Sequence, residues 1–115
     1  MSVRGERGEV KLENVLVDTG ATYTVLPEKL LWDIGAVKIP PYKAPLELGD
    51  GRKVEAKVYA AAIKVGEREG PGVILAFKDS KSVLGVQALE ALGLRVDPTT
   101  GELEATRPKG IAYFY

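Results

Sequence analysis

The 115-residue sequence contains no cysteine and no histidine. Without cysteine there can be no disulfides, zinc–thiolate sites or cysteine nucleophiles. Without histidine the chain cannot carry Ser-His-Asp or Cys-His catalysis, and it lacks the commonest metal ligand. Hydrolytic chemistry in this protein would therefore rest on carboxylates, lysine, tyrosine or hydroxyl groups, and we expect no metal and no other cofactor.

An excess of charge of either sign is also absent. Sixteen basic and sixteen acidic residues give a formal net charge of zero, so the composition does not indicate a nucleic-acid partner. No stretch reaches the roughly 20 apolar residues of a membrane span. Residues 1–6 lack the hydrophobic region of a signal peptide. We expect a cytoplasmic protein that does not bind membranes, folded as a single domain over residues 1–115.

Short apolar and β-branched runs predict a mostly β protein. Proline and glycine clusters separate these runs, so residues 37–45, with three prolines, are predicted as extended loop and residues 66–72 as a turn. The predicted strands lie near residues 10–12, 15–17, 22–26, 54–65, 73–77, 83–85, 94–96 and 102–104.

Two short helices are predicted from their end residues and apolar stripes. Pro27 suits the first position of a helix, and Gly35 follows an apolar stripe as a C-cap, which predicts a helix over residues 27–34. A second stripe begins at Val86 and is closed by Gly93. Between these helices, residues 46–54 predict a hairpin, because Asp50 and Gly51 can occupy both positive-φ positions of a two-residue turn.

The motif with the clearest chemistry is Asp18-Thr19-Gly20-Ala21, which directly follows the apolar residues 15–17. A carboxylate on a tight glycine turn after a buried strand is poorly explained as a solvated loop acid. Taken alone, the tripeptide could be an ordinary Asx-type turn between strands. The sequence contains this motif once, so catalysis by two facing carboxylates would require two chains.

With its flanking elements the sequence resembles the retropepsin-like (retroviral-type) aspartic proteases, as a cellular, prokaryotic-type member. The resemblance rests on the Asp18 motif, on the glycine-bearing hairpin at residues 49–51 where the family has its flap, and on Val83-Leu84-Gly85 followed by a helix. It covers residues 10–104 and leaves the tail, residues 105–115, without an assigned role. It implies an all-β closed sheet of about six strands with one or two short helices, acting as a homodimer.

The resemblance also implies a mechanism and residue roles. Asp18 of each chain would hold a shared water, with one carboxylate ionised as general base and the other protonated. Thr19 would hydrogen-bond across the dimer, and Gly20 would let the substrate backbone approach closely. Leu84 and Gly85 would also brace the catalytic turn from behind. The residues implied in binding an extended peptide substrate are Ala21, Leu48, Gly49, Asp50, Gly51 and Leu84.

The sequence departs from the viral members at two linked positions. Thr22 and Val86 stand where many of those proteins have an acidic residue and an arginine that pair. An endopeptidase is the first hypothesis; the alternative is a non-catalytic peptide-binding or dimerisation module that retains the protease fold. The aromatic end of the tail, residues 113–115, is expected to pack or to form a dimer contact.

Overall fold

Ten strands and two helices occupy residues 1–108, the part of the chain that the computed structural model describes. The strands are β1 (Ser2–Arg4), β2 (Glu9–Lys11), β3 (Leu16–Val17), β4 (Thr24–Val25), β5 (Val37–Glu47), β6 (Lys53–Val65), β7 (Arg68–Ala76), β8 (Val83–Leu84), β9 (Leu94–Val96) and β10 (Leu103–Ala105). The helices are α1 (Glu28–Ile34) and α2 (Val86–Leu92). The all-β fold class that the resemblance implied is confirmed.

Eight strands form one sheet in the order β2-β1-β6-β7-β4-β8-β3, with β5 paired to the first part of β6. Strands β2 and β3 lie at the two ends of this order, and the sheet curls into a half-barrel. Two pairings in it are parallel, β3 with β8 and β4 with β7. Strands β9 and β10 form a separate antiparallel hairpin.

Strand β6 positions the core because its two faces bury different side chains. Successive residues of a strand point to opposite faces. Tyr59 and Ile63 therefore join the main core with residues of both helices, whereas Ala56 and Val58 join a smaller cluster with Leu75. The main core contains Val3, Leu26, Leu31, Ile34, Tyr59, Ile63, Ile74, Ala76, Leu84, Ala88, Leu89 and Leu92.

Both predicted helices are present, and their C-terminal ends follow the predicted chemistry, but α1 begins at Glu28 and Pro27 is its N-cap rather than its first helical residue. Gly35 and Gly93 adopt the left-handed conformation at the two C-caps, with φ of 69° and 71°. Glycine takes this conformation without a Cβ penalty. The Arg68 guanidinium donates to the carbonyl oxygens of Leu92 and Gly93 at 3.1 and 3.3 Å, which satisfies acceptors at the end of α2.

The prediction of a loop over residues 37–45 is wrong, because β5 runs through it. Its partner β6 is the next strand along the chain, and β5 has no other neighbour among the described residues, so prolines can lie at its free edge without breaking a ladder. The pairing shifts register between Lys38 and Lys43, where Pro40-Pro41 is a cis peptide and Tyr42 has φ of 68°.

Three smaller predictions also need correction. Only residues 66–67 separate β6 from β7, so the predicted turn over residues 66–72 is mostly strand, whose backbone pairs with β6. The strand predicted over residues 22–26 is confined to β4. At the hairpin tip, Gly51 has a positive φ of 88° but Asp50 does not, so the tip is not the predicted two-residue turn.

The tip is instead a three-residue loop. The backbone N–H of Leu48 donates to the carbonyl of Arg52 at 2.8 Å, and the N–H of Gly51 donates to the carbonyl of Leu48 at 2.9 Å. A glycine with positive φ at the end of such a loop is a common hairpin geometry.

Neither helix of the described chain is long enough to cross a membrane, since each has seven residues. The predicted packing of the aromatic end at residues 113–115 lies outside the described residues.

Candidate active site

The Asp18 turn is held by the parallel pairing of β3 with β8. Leu16 lies opposite Val83 and Val17 opposite Leu84, and the chain leaves the sheet at Asp18. The Asp18 N–H donates to the Leu84 carbonyl at 3.0 Å, which extends this ladder by one bond. The turn then closes on itself, because the N–H of Ala21 donates to the Asp18 carbonyl at 3.1 Å.

The Asp18 carboxylate is oriented by the backbone of its own turn. Its Oδ1 accepts a hydrogen bond from the N–H of Gly20 at 2.8 Å. Asp18, Thr19 and Gly20 are all exposed on the single chain. The turn therefore presents one oriented carboxylate to solvent rather than burying it.

The first turn of α2 braces the Asp18 turn from behind. The N–H groups of Val86 and Gln87 donate to the carbonyls of Ala21 and Thr22, each at 2.8 Å. These donors have no partner inside the helix, and α2 has no side-chain N-cap. The helix start and the turn thus satisfy each other's backbone groups.

Gly85 lies where this contact is tightest. A Cβ at this position would come within 2.5 Å of the carbonyl carbon and oxygen of Tyr23 and 3.0 Å of the carbonyl oxygen of Ala21. The N–H of Gly85 donates to the hydroxyl of Thr24, a fully buried side chain, at 3.2 Å. Glycine is required here because two backbones approach closely. Its φ of −98° is open to any residue, so backbone conformation is not the reason.

Gln87 connects the same region to β7. Its side-chain oxygen accepts from the N–H of Val73 at 3.0 Å, and its side-chain nitrogen donates to the carbonyl of Pro71 at 3.3 Å. The carboxamide of Gln87 thus supplies an uncharged tether between α2 and the sheet.

A groove of about 1020 Å³ opens beside Asp18, between the turn and the hairpin tip. Ala21, Leu48, Gly49 and Gly51 line it together with Asp18 and Gly20, as the resemblance implied. The other lining residues are Thr22, Tyr23, Val25, Leu46, Glu47, Arg52, Leu75, Phe77, Asp79, Ser80, Lys81 and Val83.

Three of the residues implied by the resemblance do not line the groove. Leu84 is 2% exposed and belongs to the main core, and its neighbour Val83 faces the groove instead. Successive side chains of a strand point to opposite faces, so Val83 and Leu84 cannot both face the groove. Thr19 and Asp50 lie next to lining residues without being among them.

The hairpin tip is held by a carboxylate. Asp50 accepts from the Arg52 backbone N–H at 3.0 Å and from the Arg52 Nε at 2.8 Å. The backbone hydrogen bond from Arg52, followed by the bond from its side chain, lowers the pKa of Asp50 below its ordinary value. Asp50 thus has a local role within the hairpin tip.

Thr24, Gln87 and Ser80 were missed by sequence reasoning. Ser80 is 7% exposed and donates to the Leu26 carbonyl at 3.0 Å, which anchors the loop after β7 beside the groove. Thr24 could have been found as a polar residue inside a β-branched run. Gln87 and Ser80 bind backbone groups that only the fold brings near, so no sequence signal indicates them.

The family model described as gag-polyprotein putative aspartyl protease matches residues 8–91, which is well over half of the chain. The match includes the Asp18 turn, the hairpin tip, β8 and most of α2. No curated protein matches the chain.

Proposed function

This chain belongs to the gag-polyprotein putative aspartyl protease family, and from that premise we propose that it is an aspartic endopeptidase that works as a homodimer. The observation that carries the proposal is Asp18 itself. Its carboxylate is oriented by the Gly20 N–H, its turn is braced by α2, and it lines the groove of about 1020 Å³.

The dimer follows from the number of catalytic turns. Peptide hydrolysis by this chemistry needs two carboxylates on one water, and the sequence has a single Asp-Thr-Gly. Exposure of residues 18–20 on one chain leaves that surface open to a second copy. Thr19, beside the groove rather than in its wall, would hydrogen-bond to the partner turn. An interface of this obligate kind typically buries more than about 2,000 Å².

In the proposed dimer the two Asp18 carboxylates share one proton, since like charges so close together cannot both be ionised. The ionised carboxylate takes a proton from the water, and the water oxygen attacks the carbonyl carbon of the peptide bond. The protonated carboxylate donates to the carbonyl oxygen. Collapse of the tetrahedral intermediate breaks the C–N bond. The carboxyl group that took the water proton gives it to the leaving nitrogen, and the other carboxylate recovers a proton from a hydroxyl of the intermediate.

The groove supports an extended peptide as the substrate. Ala21 and Gly20 would lie beside the cleaved bond, and the hairpin tip at residues 48–51 would close over the chain and exclude water. Apolar lining residues such as Val25, Leu75 and Val83 favour apolar substrate side chains near the cleaved bond.

The decisive experiment compares the native chain with Asp18→Asn on a diverse peptide library between pH 3 and 8. Both proteins are used at concentrations where sedimentation gives dimers. The matched control is Asp33→Asn, which changes an exposed carboxylate paired with Lys29 on α1. We expect cleavage by the native chain and by the control, and none by Asp18→Asn.

Equal cleavage by all three proteins would remove Asp18 from the mechanism. No cleavage by any of them, with folded dimers confirmed, would favour the alternative of a non-catalytic peptide-binding or dimerisation module. Two features favour this alternative: the hairpin tip has fewer glycines than viral flaps, and Thr22 and Val86 stand where many viral members have a paired acid and arginine.

A further inference from the structure

The walls of the groove combine apolar side chains with a few charged ones. Val25, Leu46, Leu75 and Phe77 line it and belong to the smaller hydrophobic cluster under the hairpin. Apart from Asp18, the charged lining residues are Glu47, Arg52, Asp79 and Lys81. The first two belong to the hairpin and the last two to the loop between β7 and β8.

The charges of the hairpin balance within the hairpin. Arg52 is held by the Asp50 carboxylate at 2.8 Å. Glu47 lies directly across the antiparallel pair from Lys53. Opposite charges at such cross-strand positions attract each other. The hairpin therefore presents no net charge to a substrate.

The loop after β7 carries charges of both signs. Lys81 lines only the groove, Asp79 lines both the groove and a neighbouring cavity, and the buried Ser80 holds the loop against Leu26. Lys81 is exposed, and it forms no ion pair within residues 1–108. Lys78 differs from Lys81 in one useful respect, since it lines a neighbouring cavity and not the groove.

We propose that Lys81 is a specificity-determining residue that selects peptides with an acidic residue close to the cleaved bond. The inference rests on the proposed function, because it concerns the same groove. Its basis is an ammonium group in the groove wall without a carboxylate partner, on an anchored loop and beside apolar pockets. In a symmetric dimer the two Lys81 side chains lie at equivalent places on either side of the cleaved bond, so an acidic residue is favoured on both sides.

The size of the preference for acidic peptides follows from the solvent exposure of the ion pair between Lys81 and the substrate carboxylate. Solvent-exposed ion pairs are worth only a fraction of the energy of buried ones, and salt screens them. We expect kcat/KM for a peptide with glutamate to exceed that of its lysine counterpart by about three- to ten-fold at low salt. The glutamine counterpart should fall between the two.

The test uses matched peptide sets built on a cleaved library sequence. Each position flanking the cleaved bond is occupied in turn by Glu, Gln or Lys, and kcat/KM is measured for native protein, Lys81→Glu, Lys81→Met and Lys78→Glu. We expect Lys81→Glu to reverse the preference and Lys81→Met to abolish it. Lys78→Glu, the matched control, should leave the native order of the three peptides in place.

The outcomes separate this inference from the proposed function. Cleavage of all peptides with a Glu:Lys ratio near one, or a ratio that Lys81→Glu does not move, overturns the role of Lys81 and leaves the protease standing. A preference that persists unchanged at high salt also overturns it, because charge recognition is screened. Failure of the native protein to cut any library peptide overturns both.

Discussion

At the scale of single residues, a buried side chain with a raised pKa, Tyr59, lies away from the groove. Tyr59 is 2% exposed, and its hydroxyl donates to Glu28 Oε2 at 2.8 Å. Burial, and then the hydrogen bond to this carboxylate, raise the pKa of Tyr59 to about 12. The same hydrogen bond, with help from Lys57, lowers the pKa of Glu28.

The raised pKa of Tyr59 predicts a loss of stability in alkali. The unfolded chain releases the phenolic proton near pH 10 and the folded chain near pH 12, so the contribution is complete below pH 10 and is lost as pH rises through that window. Between pH 8 and 11 the loss should be about 1 kcal/mol. Urea unfolding of the native protein and of Tyr59→Phe at both pH values measures this loss of unfolding free energy. The variant should not show it, because it has no phenolic proton at position 59.

Tyr59→Phe should also be about 1–2 kcal/mol less stable at pH 8, because the Glu28 carboxylate loses a donor. Tyr42→Phe is the matched control, as Tyr42 is 55% exposed. If both variants lose stability in parallel with the native protein above pH 10, the alkaline transition belongs to other groups and the Tyr59 assignment is wrong.

At the scale of elements, the contact between the Asp18 turn and α2 decides the shape of the candidate site. Gly85→Ala would put a methyl group within 2.5 Å of the Tyr23 backbone, which cannot yield as a flexible side chain can. We expect a loss of about 3 kcal/mol of stability and loss of cleavage, since the Asp18 turn must shift. Denaturant midpoints and peptide cleavage measure the two effects.

Gly49→Ala is the control for Gly85→Ala. A Cβ at Gly49 would meet nothing within 4 Å, and this glycine does not have a positive φ. The free energy of unfolding of Gly49→Ala should differ from that of the native protein by less than about 1 kcal/mol. Similar effects of the two substitutions on stability would contradict the view that the turn and α2 are packed backbone to backbone.

Features that depend on local chemistry could be predicted from the sequence. The two helices with their glycine C-caps, the β9–β10 hairpin and the hairpin at residues 46–54 all depend on neighbouring residues. The extension of strand β5 back through residues 37–45 could not be predicted, because its prolines argue locally for a loop and its pairing with β6 makes it a strand. Pairing overrides local propensity in such a case.

In the candidate site too, the features set by local sequence could be predicted and those set by the fold could not. The Asp18 turn was visible as a motif, and most of the implied groove residues do line the groove. Leu84 was assigned to the groove although strand alternation sends it to the core and Val83 to the groove. Thr24 and Gln87 bind backbone groups 61 and 14 residues away, contacts that no local pattern encodes.

At the scale of the whole molecule, the proposed chemistry belongs to two chains at once. Each chain contributes one Asp18, so a mixed dimer of native and Asp18→Asn chains would have half of the dyad. Two separate active sites, one per chain, would behave differently, because each native chain would keep its activity in any dimer. Mixing the two proteins distinguishes these arrangements without a structure of the complex.

We predict that Asp18→Asn chains inhibit the native protein once subunits have exchanged. For random pairing, an equal amount of variant added to a fixed amount of native protein should reduce cleavage to about half, and a nine-fold excess to about a tenth, because activity follows the amount of native–native dimer. Asp33→Asn chains, added in the same amounts, should not inhibit, since they carry an intact Asp18. Activity that stays constant while mass spectrometry shows mixed dimers would mean that one chain suffices, and the shared dyad would have to be abandoned.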